Sequence, residues 1–288
     1  MTAAAPWPAP AKLNLFLHVT GRRADGYHEL QTLFQFLDVA DELTFAVNTS
    51  GHIARTRAHP HIPENEDLCI RAARLLQTAA GVTQGVEIDL KKRIPVGGGL
   101  GGGSSDAATT LLALNELWGI RWPHARLGSL ALRLGADVPV FIFGHAAWAE
   151  GVGERLTAVA PAPVCYVVMA PPVAVSTAAV FADPELTRAS AAITIRDFHA
   201  GRTRNDLEAV VRKRYPEVDK VLNGLSQFGP ARMTGSGACV FLPVADTSAG
   251  RAILTEVSSR LGPSYTGFVA QGVNVHPVHT RLGCAPGG

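Results

Sequence analysis

Alternation of apolar and polar residues predicts β-strands in the first part of the chain. The segment AKLNLFLHV at 11–19 has an apolar face and a more polar face, namely Leu13, Leu15, Leu17 and Val19 against Lys12, Asn14, Phe16 and His18. This pattern predicts a half-buried strand. QTLFQFLDV at 31–39 and DELTFAV at 41–47 predict two more strands, and GVEIDLKKR at 85–93 alternates like a half-exposed antiparallel strand.

Apolar residues at helical spacing predict helices between these strands. DLCIRAARLLQTAAG at 67–81 carries such a stripe, and Gly81 can end its helix. Similar patterns occur at HARLGSLALRLG (124–135), STAAVF (176–181), NDLEAVVRKRY (205–215) and 247–261. In the helix at 205–215, Asn205 and Glu208 are spaced as in a capping box.

The remaining apolar segments predict a mixed architecture. ADVPVFIFG at 136–144 is expected to be a charged residue leading into a buried strand. ARMTGSGACVFLPV at 231–244 predicts strand, glycine turn and strand, and GFVAQGVNV at 267–275 predicts the final strand. Because strands and helices mix without strict βαβ alternation, we expect an α+β protein. A composition shift near 160–163 predicts two domains, 1–160 and 161–288.

Composition narrows the class of protein. The 288 residues are 47% hydrophobic and 17% charged with a net charge of +2, which is typical of a compact protein and predicts no nucleic-acid or membrane partner. The charge-free stretch 156–182 is long enough to span a bilayer, but four prolines interrupt it. We therefore interpret it as a buried strand between turns and not as a membrane helix. No signal-peptide pattern begins the chain, and a cytoplasmic location is expected. The cysteines are too scattered for a zinc or disulfide framework and predict reduced, mostly buried thiols: Cys69, Cys165, Cys239 and Cys284.

A glycine-rich run, PVGGGLGGGSS at 95–105, is followed at once by a helical stripe of Ala107, Leu111, Leu114 and Trp118. Backbone without Cβ atoms can approach an anion closely, and the helix adds the partial positive charge of its N-terminus. The run therefore predicts a phosphate site, with Ser104 and Ser105 able to cap the helix or touch phosphate or a metal. No lysine follows Gly103, which excludes a Walker loop, and the GxGxxG match within so many glycines is weak support for a dinucleotide fold.

Three segments in order resemble the motifs of the GHMP kinases. The phosphate loop PVGGGLGGGSS matches the family form P-x-x-x-G-L-G-S/G-S-S, PAKLNLFLHVTGRRADGYHEL at 10–30 resembles the first motif, and MTGSGACVF at 233–241 resembles the third. LGADVPVFIFG and AEGVGE extend the similarity over nearly the whole chain. The Tyr27–His28 pair favours the branch of the family that acts on a cytidine-bearing alcohol.

The resemblance implies a fold, a reaction and its ligands. The expected fold has an N-terminal domain like ribosomal protein S-five domain two and a C-terminal ferredoxin-like domain, with the site in the cleft between them. The expected reaction uses ATP and Mg²⁺ to phosphorylate the 2-hydroxyl of 4-diphosphocytidyl-2-C-methyl-D-erythritol, in a protein that is a monomer or homodimer. Alternatives are a homoserine- or mevalonate-type kinase, a dinucleotide-binding oxidoreductase and an RNA-binding protein with the same N-terminal fold.

The resemblance also assigns roles to individual residues. It makes Asp137 the general base, with a proton affinity that burial could raise, and Lys12 its partner and a countercharge for the transferred phosphoryl group. Asn14 shares the face of Lys12 and is expected in the polar site. The cytosine pocket would comprise Tyr27, His28, Thr177 and Phe181. Nucleotide binding is expected from Lys92 and the loop residues Pro95, Val96, Gly97, Gly98, Gly99, Leu100, Gly101, Gly102, Gly103, Ser104 and Ser105.

Two further features of these motifs bear on the nucleotide site. The second glycine turn, at 235–237, is expected near the phosphates, although a plain hairpin turn fits it equally well. Asp106 places a negative charge in the first turn of the helix after the loop, and we expect it to point outward or toward a metal. No dedicated carboxylate cage for a metal is apparent in the sequence.

Overall fold

A computed structural model of the chain describes residues 5–57 and 62–283. Within these ranges the strands are β1 (Trp7–Arg22), β2 (His28–Asn48), β3 (Ile53–Arg55), β4 (Gly85–Lys91), β5 (Ala147–Gly151), β6 (Arg155–Ala158), β7 (Cys165–Ala170), β8 (Arg232–Met233), β9 (Val240–Val244) and β10 (Thr266–Val273). The helices are α1 (Leu68–Ala80), α2 (Gly102–Leu117), α3 (His124–Ala131), α4 (Val138–Phe143), α5 (Thr177–Ala182), α6 (Ile195–His199), α7 (Glu208–Arg214), α8 (Pro216–Ser226), α9 (Thr247–Leu261) and α10 (Pro277–Arg281).

The strands form one sheet in which β2 is the hub. The main order is β3-β4-β2-β10-β7-β9-β8, and β2 also pairs with β1 and β5. Strand β10 pairs with β7 along most of its length and reaches β2 through Gly272↔Leu37 and Val273↔Phe36. The last strand therefore joins the sheet of the first half of the chain to that of the second. The division at 160 and 161 stays a prediction.

Strand β2 runs without a break through two segments that the sequence predicts as separate strands. The two acidic residues at the junction, Asp41 and Glu42, do not interrupt pairing, since Glu42 opposes both Pro8 of β1 and Lys91 of β4. The buried carboxylate of Asp41 accepts hydrogen bonds from Arg93 N and Ile94 N at 2.5 and 2.9 Å. The charge of Asp41 is therefore stabilised inside the sheet by main-chain donors about fifty residues away, which neighbouring residues do not reveal.

Strand β1 is buried on both faces, which corrects the expected half-buried strand. Lys12, Asn14 and His18 are each at most 3% exposed. Register shifts, one of them between Asn14 and Leu17, break the simple alternation. As a result Phe16 packs in the same cluster as Leu13 and Leu15, whereas the later apolar residues, Leu17 and Val19, pack in the cluster of the second half of the chain.

The segment predicted as a strand at 136–144 is instead helix α4. Pro139 lies in its first turn and Gly144 ends it in the left-handed conformation at φ 78°. Its first five residues are all buried, so no polar residue marks the helical period and the run looks like a buried strand in the sequence. The consequence for function is that Asp137 stands at the N-terminal end of a helix.

The other helices largely confirm the pattern. Helix α1 begins after Asp67, whose carboxylate accepts from Cys69 N and Ile70 N, and Gly81 ends it at φ 65°. Helix α7 forms, but the predicted capping box does not, because Glu208 accepts from Met233 N and Asn205 binds the turn at 233–235. Helix α10 was not predicted.

The structure bears on two further expectations, the state of the cysteines and the presence of a membrane helix. Cys69, Cys165 and Cys239 are free and buried, as predicted, and Cys284 lies outside the described residues. In the described ranges, no helix has the length and apolar character needed to cross a bilayer.

Candidate active site

A cavity of about 560 Å³ opens where the two halves of the sheet meet. The glycine loop forms one wall, β1 and the start of α4 form another, and α5 with the 234–237 turn forms a third. Almost all sequence-predicted site residues line it: Lys12, Asn14, Lys92, Pro95, Val96, Gly97, Gly98, Gly99, Leu100, Gly101, Gly102, Gly103, Ser104, Asp137, Thr177 and Phe181. Ser105, Tyr27 and His28 do not line it.

The glycine loop needs glycine at specific positions. Gly97, Gly99 and Gly101 have φ angles of 72°, 75° and 71°, a region that side chains disfavour. A Cβ on Gly98 would collide with the Sγ of Cys239, and one on Gly99 would lie 2.9 Å from Gly237 O. The loop is therefore packed against the 234–239 turn, and main chain rather than side chain faces the cavity.

Helix α2 presents its N-terminus to this cavity. Gly101 precedes the helix, and the first helical hydrogen bond in the loop region runs from Ser105 N to Gly101 O at 2.8 Å. The N–H groups of Gly102, Gly103 and Ser104 lie before this first bond and so have no acceptor within the helix. No side chain caps the helix at this end. Such N–H groups, together with the helix dipole, form an anion site.

Lys12 is a buried cation held between two oxygen ligands. It is 1% exposed, and its Nζ lies 2.5 Å from Asn14 Oδ1 and 3.1 Å from Asp137 Oδ2. The ammonium also lies 5.3 Å from the centroid of the Phe34 ring. Lys12 N donates to Leu100 O at 2.9 Å, which ties β1 to the glycine loop.

Asp137 stands at the cavity wall rather than in the core. Its side chain is 38% exposed, so burial is less complete than the sequence analysis expected. One oxygen faces Lys12, and the residue lines the cavity beside Ala136. A carboxylate that is both ion-paired and open to the cavity can accept a proton from a bound hydroxyl.

Behind the loop, Lys92 bridges two buried carboxylates. Its Nζ contacts Asp41 and lies 2.8 Å from Asp106 Oδ2. Burial raises the pKa of Asp106 to about 7, with Asp41 adding to the rise and Lys92 opposing it. Burial alone would lower the pKa of Lys92, but Asp106 and Asp41 raise it overall. Asp106 therefore points into the interior, so the outward orientation expected from the sequence is wrong, while its orientation toward a metal stays a prediction.

The two serines differ in position. Ser104 lines the cavity, whereas Ser105 is fully buried and its Oγ, like Asp106 Oδ1, has no hydrogen-bond partner among the described residues. No group of three or more His, Cys, Asp or Glu side chains in residues 5–57 and 62–283 could hold a metal ion.

Sequence reasoning missed the residues that shape the 234–237 turn. Thr234 Oγ1 accepts from Asn14 N at 2.9 Å, and Asn205 donates to Gly235 O at 2.8 Å. Thr177 Oγ1 lies 2.6 Å from Ser236 Oγ. The only early signal was the MTGSGACVF motif, which placed this turn near the phosphates.

The residues expected to form the cytosine pocket are grouped around α5. The rings of His28 and Phe181 stack, with centroids 4.9 Å apart and planes 29° apart. Phe181 and Thr177 line the cavity, while Tyr27 is 65% exposed on the loop beside it. The structure thus brings His28 against Phe181, with Thr177 on the same helix as Phe181, and leaves Tyr27 exposed and outside the cavity lining.

Two family models match this chain in sequence. "GHMP kinases N terminal domain" matches residues 67–145 and "GHMP kinases C terminal" matches residues 187–263. A 4-diphosphocytidyl-2-C-methyl-D-erythritol kinase of Thiobacillus denitrificans is 56% identical over 273 residues, covering 95% of this chain and 97% of the relative. One of Pseudomonas savastanoi pv. phaseolicola is 54% identical over 275 residues, covering 96% and 94%.

Two solved structures share the fold of this chain at different levels of sequence identity. A crystal structure of 4-(cytidine 5'-diphospho)-2C-methyl-D-erythritol kinase is 37% identical with a TM-score of 0.78, covering 93% of this chain and 99% of the other. A homoserine kinase from Cytophaga hutchinsonii has a TM-score of 0.70 at 17% identity over 96% of each chain, which indicates a shared fold alone. The predicted two-part GHMP kinase fold is confirmed. The chain belongs to the GHMP kinases, which are ATP-dependent, and within them to the 4-diphosphocytidyl-2-C-methyl-D-erythritol kinase family.

Proposed function

We propose that this protein transfers the γ-phosphoryl group of ATP to the 2-hydroxyl of 4-diphosphocytidyl-2-C-methyl-D-erythritol, with Asp137 as general base. The observation that carries the proposal is the 3.1 Å pair between Lys12 Nζ and Asp137 Oδ2 on the cavity that the glycine loop lines. A base beside a phosphate cradle is what transfer to an alcohol requires. The match of two GHMP kinase models to this chain argues against a dinucleotide-binding oxidoreductase and an RNA-binding protein.

The two charged residues have complementary roles in the proposal. Asp137 accepts the proton that leaves the substrate hydroxyl as its oxygen attacks phosphorus, and the bond to the ADP oxygen breaks. Lys12 is held by Asn14, which places its ammonium group near the transferred phosphoryl group. Because Lys12 is almost fully buried, its charge acts in surroundings that screen it less than water does.

The nucleotide site of the proposal uses main-chain donors. The N–H groups at the start of α2 and the left-handed glycines would hold the triphosphate, with Lys92 as a nearby cation. Mg²⁺ neutralises charge on the β- and γ-phosphate oxygens when bound. Ser104, which lines the cavity at the start of α2, has the kind of hydroxyl oxygen that suits Mg²⁺, so the residues present fit the ion, which the nucleotide itself would mainly hold; Ser105 is buried and does not line the cavity.

The base of the substrate is assigned to the other end of the cavity. Tyr27 and Phe181 would stack on cytosine, His28 would contact its polar edge and Thr177 would add a polar contact. We propose a cytoplasmic enzyme that is a monomer or a homodimer. The three buried free thiols support a reducing compartment.

The direct test is a coupled assay of ADP release with purified protein, ATP, Mg²⁺ and the cytidyl substrate, run beside homoserine and mevalonate. Of these three alcohols, only the cytidyl substrate is expected to be turned over. Asp137→Asn should lower kcat by about 10²–10⁴-fold while calorimetry shows ATP binding unchanged. Asp89→Asn is the matched control, because it makes the same change in a partly exposed carboxylate of β4 that does not line the cavity, and it should keep wild-type turnover. Turnover with homoserine in place of the cytidyl compound would overturn the substrate, and wild-type kcat in Asp137→Asn would overturn the base.

A further inference from the structure

The guanidinium of Arg188 joins three parts of the proposed base pocket. Its Nε donates to His28 Nε2 at 3.2 Å. One terminal nitrogen donates to Phe181 O at 2.8 Å and Asp183 O at 2.6 Å, and the other donates to Leu186 O at 3.2 Å. Arginine has fixed donor geometry and stays charged, so these contacts set positions rather than merely attract.

These contacts determine which nitrogen of His28 carries a proton. Because Nε2 accepts from Arg188, the proton of the neutral ring resides on Nδ1. Burial lowers the pKa of His28, and the positive charges of Arg188 and Arg22 lower it further. Near neutral pH the ring therefore stays uncharged and has a single donor, Nδ1–H.

The same guanidinium sets the spacing of two rings. It binds the main-chain oxygen of Phe181 at the end of α5 and the ring edge of His28. The rings of Phe181 and His28 stack, with centroids 4.9 Å apart. Phe181 lines the cavity, so a shift of the Arg188 contacts would move a cavity wall and the histidine together. No other described side chain is hydrogen-bonded to both parts.

We infer that Arg188 is a positioning residue for base selection, which holds His28 as the Nδ1–H donor against Phe181 so that the pocket matches a pyrimidine with an unprotonated ring nitrogen. Cytosine has an acceptor at N3, whereas uracil has a proton there and would face the donor with a donor. The selectivity part of this inference rests on the proposed function; the tautomer part does not.

The variants separate positioning from general loop stability. Arg188→Gln removes both the charge and the planar set of guanidinium donors (the fork). Arg188→Lys keeps the charge and removes the fork. Arg214→Gln is the matched control, because Arg214 pairs with Asp183 in the same loop and makes no contact with His28. Melting temperatures identify any variant that does not fold.

Two readouts test the inference. Nitrogen-15 NMR of histidine-labelled protein, with His28 assigned from a His28→Gln spectrum, should show the Nδ1–H tautomer in wild type and Arg214→Gln and a shift to Nε2–H in Arg188→Gln. Kinetics should show the KM for the cytidyl substrate raised about tenfold in both Arg188 variants, as expected for one lost hydrogen bond, with the KM for ATP unchanged. Preference over the uridyl analogue should fall by a similar factor.

The outcomes distinguish this inference from the proposed function. Absence of turnover with the cytidyl substrate in wild type refutes the proposed function and, with it, the selectivity part. An unchanged His28 tautomer in Arg188→Gln refutes the positioning role, whatever the turnover. Wild-type preference for cytidine over uridine in Arg188→Lys refutes the need for the fork, and equal losses in Arg214→Gln show a role in loop stability only.

Discussion

A cluster of histidines under α4 predicts that acid will destabilise this protein through a few identifiable groups. His276 and His279 come from the C-terminal segment, and their rings are centred 5.8 Å apart. The ring of His279 packs against that of His124, with centroids 4.7 Å apart. His145 lies 6.3 Å from His279, and the ring of Phe36 lies 5.6 Å from that of His276. Arg281, on the same helix, packs 4.0 Å over Trp7, so this segment fastens α10 to β1.

The direction and size of the effect follow from burial. Burial lowers the pKa of His279 to about 4, with His124 and His145 adding to the decrease, and burial also lowers the pKa of His276 well below its ordinary value, with His279 adding to that decrease. An unfolded chain protonates these rings near pH 6.5, so it binds more protons than the folded state between there and about pH 4. Stability from His279 is therefore present at neutral pH and is lost as the pH falls through this window, by about 2.5 kcal/mol at pH 4.5.

The assay compares urea unfolding of wild type and His279→Gln at several values between pH 4.5 and 7. Glutamine does not titrate, so the free energy of unfolding of the variant should fall less steeply with acid. The gap between the two proteins should narrow by about 2.5 kcal/mol from pH 7 to 4.5. His199→Gln, which changes an exposed histidine on α6, is the control and should parallel wild type. Parallel curves for His279→Gln and wild type would refute the reasoning.

Three further predictions concern the cavity. Gly98→Ala forces a methyl group onto Cys239 Sγ and should weaken ATP binding about tenfold by calorimetry; wild-type affinity would contradict the loop packing. Asp106 gains negative charge as the pH rises through about 7, so the Kd of wild type for ATP should increase from pH 6 to 8 more than that of Asp106→Asn, and equal slopes would count against it. Tyr27→Ala should raise the KM of the cytidyl substrate about tenfold and spare that of ATP, the value for one lost base stack; equal effects on both would remove Tyr27 from the base site.

Local sequence was sufficient where the physical cause is itself local. The glycine run needed left-handed backbone and bare main chain, and a helix began within it as the apolar stripe indicated. Helix α1 and its end at Gly81 also follow from neighbouring residues. Motif similarity added Lys12 and Asp137, which spacing alone could not connect.

Local sequence was insufficient where burial erases the pattern. Helix α4 is apolar all round, so neither a period of two nor one of 3.6 is visible, and tertiary packing selects the helix. Asp106 looked like a surface charge in a first turn, yet Lys92 and Asp41 meet it in the interior.

By itself, the sequence determined the family, the glycine loop that leads into α2, and a set of candidate site residues most of which line the cavity. Only the tertiary structure revealed the contacts of Asn14 with Thr234 and of His28 with Arg188, and it gave the 3.1 Å separation of Lys12 and Asp137, which the resemblance had paired without a distance. A side chain's partner and charge state depend on what packs against it in three dimensions, and such long-range contacts leave no periodic trace along the chain.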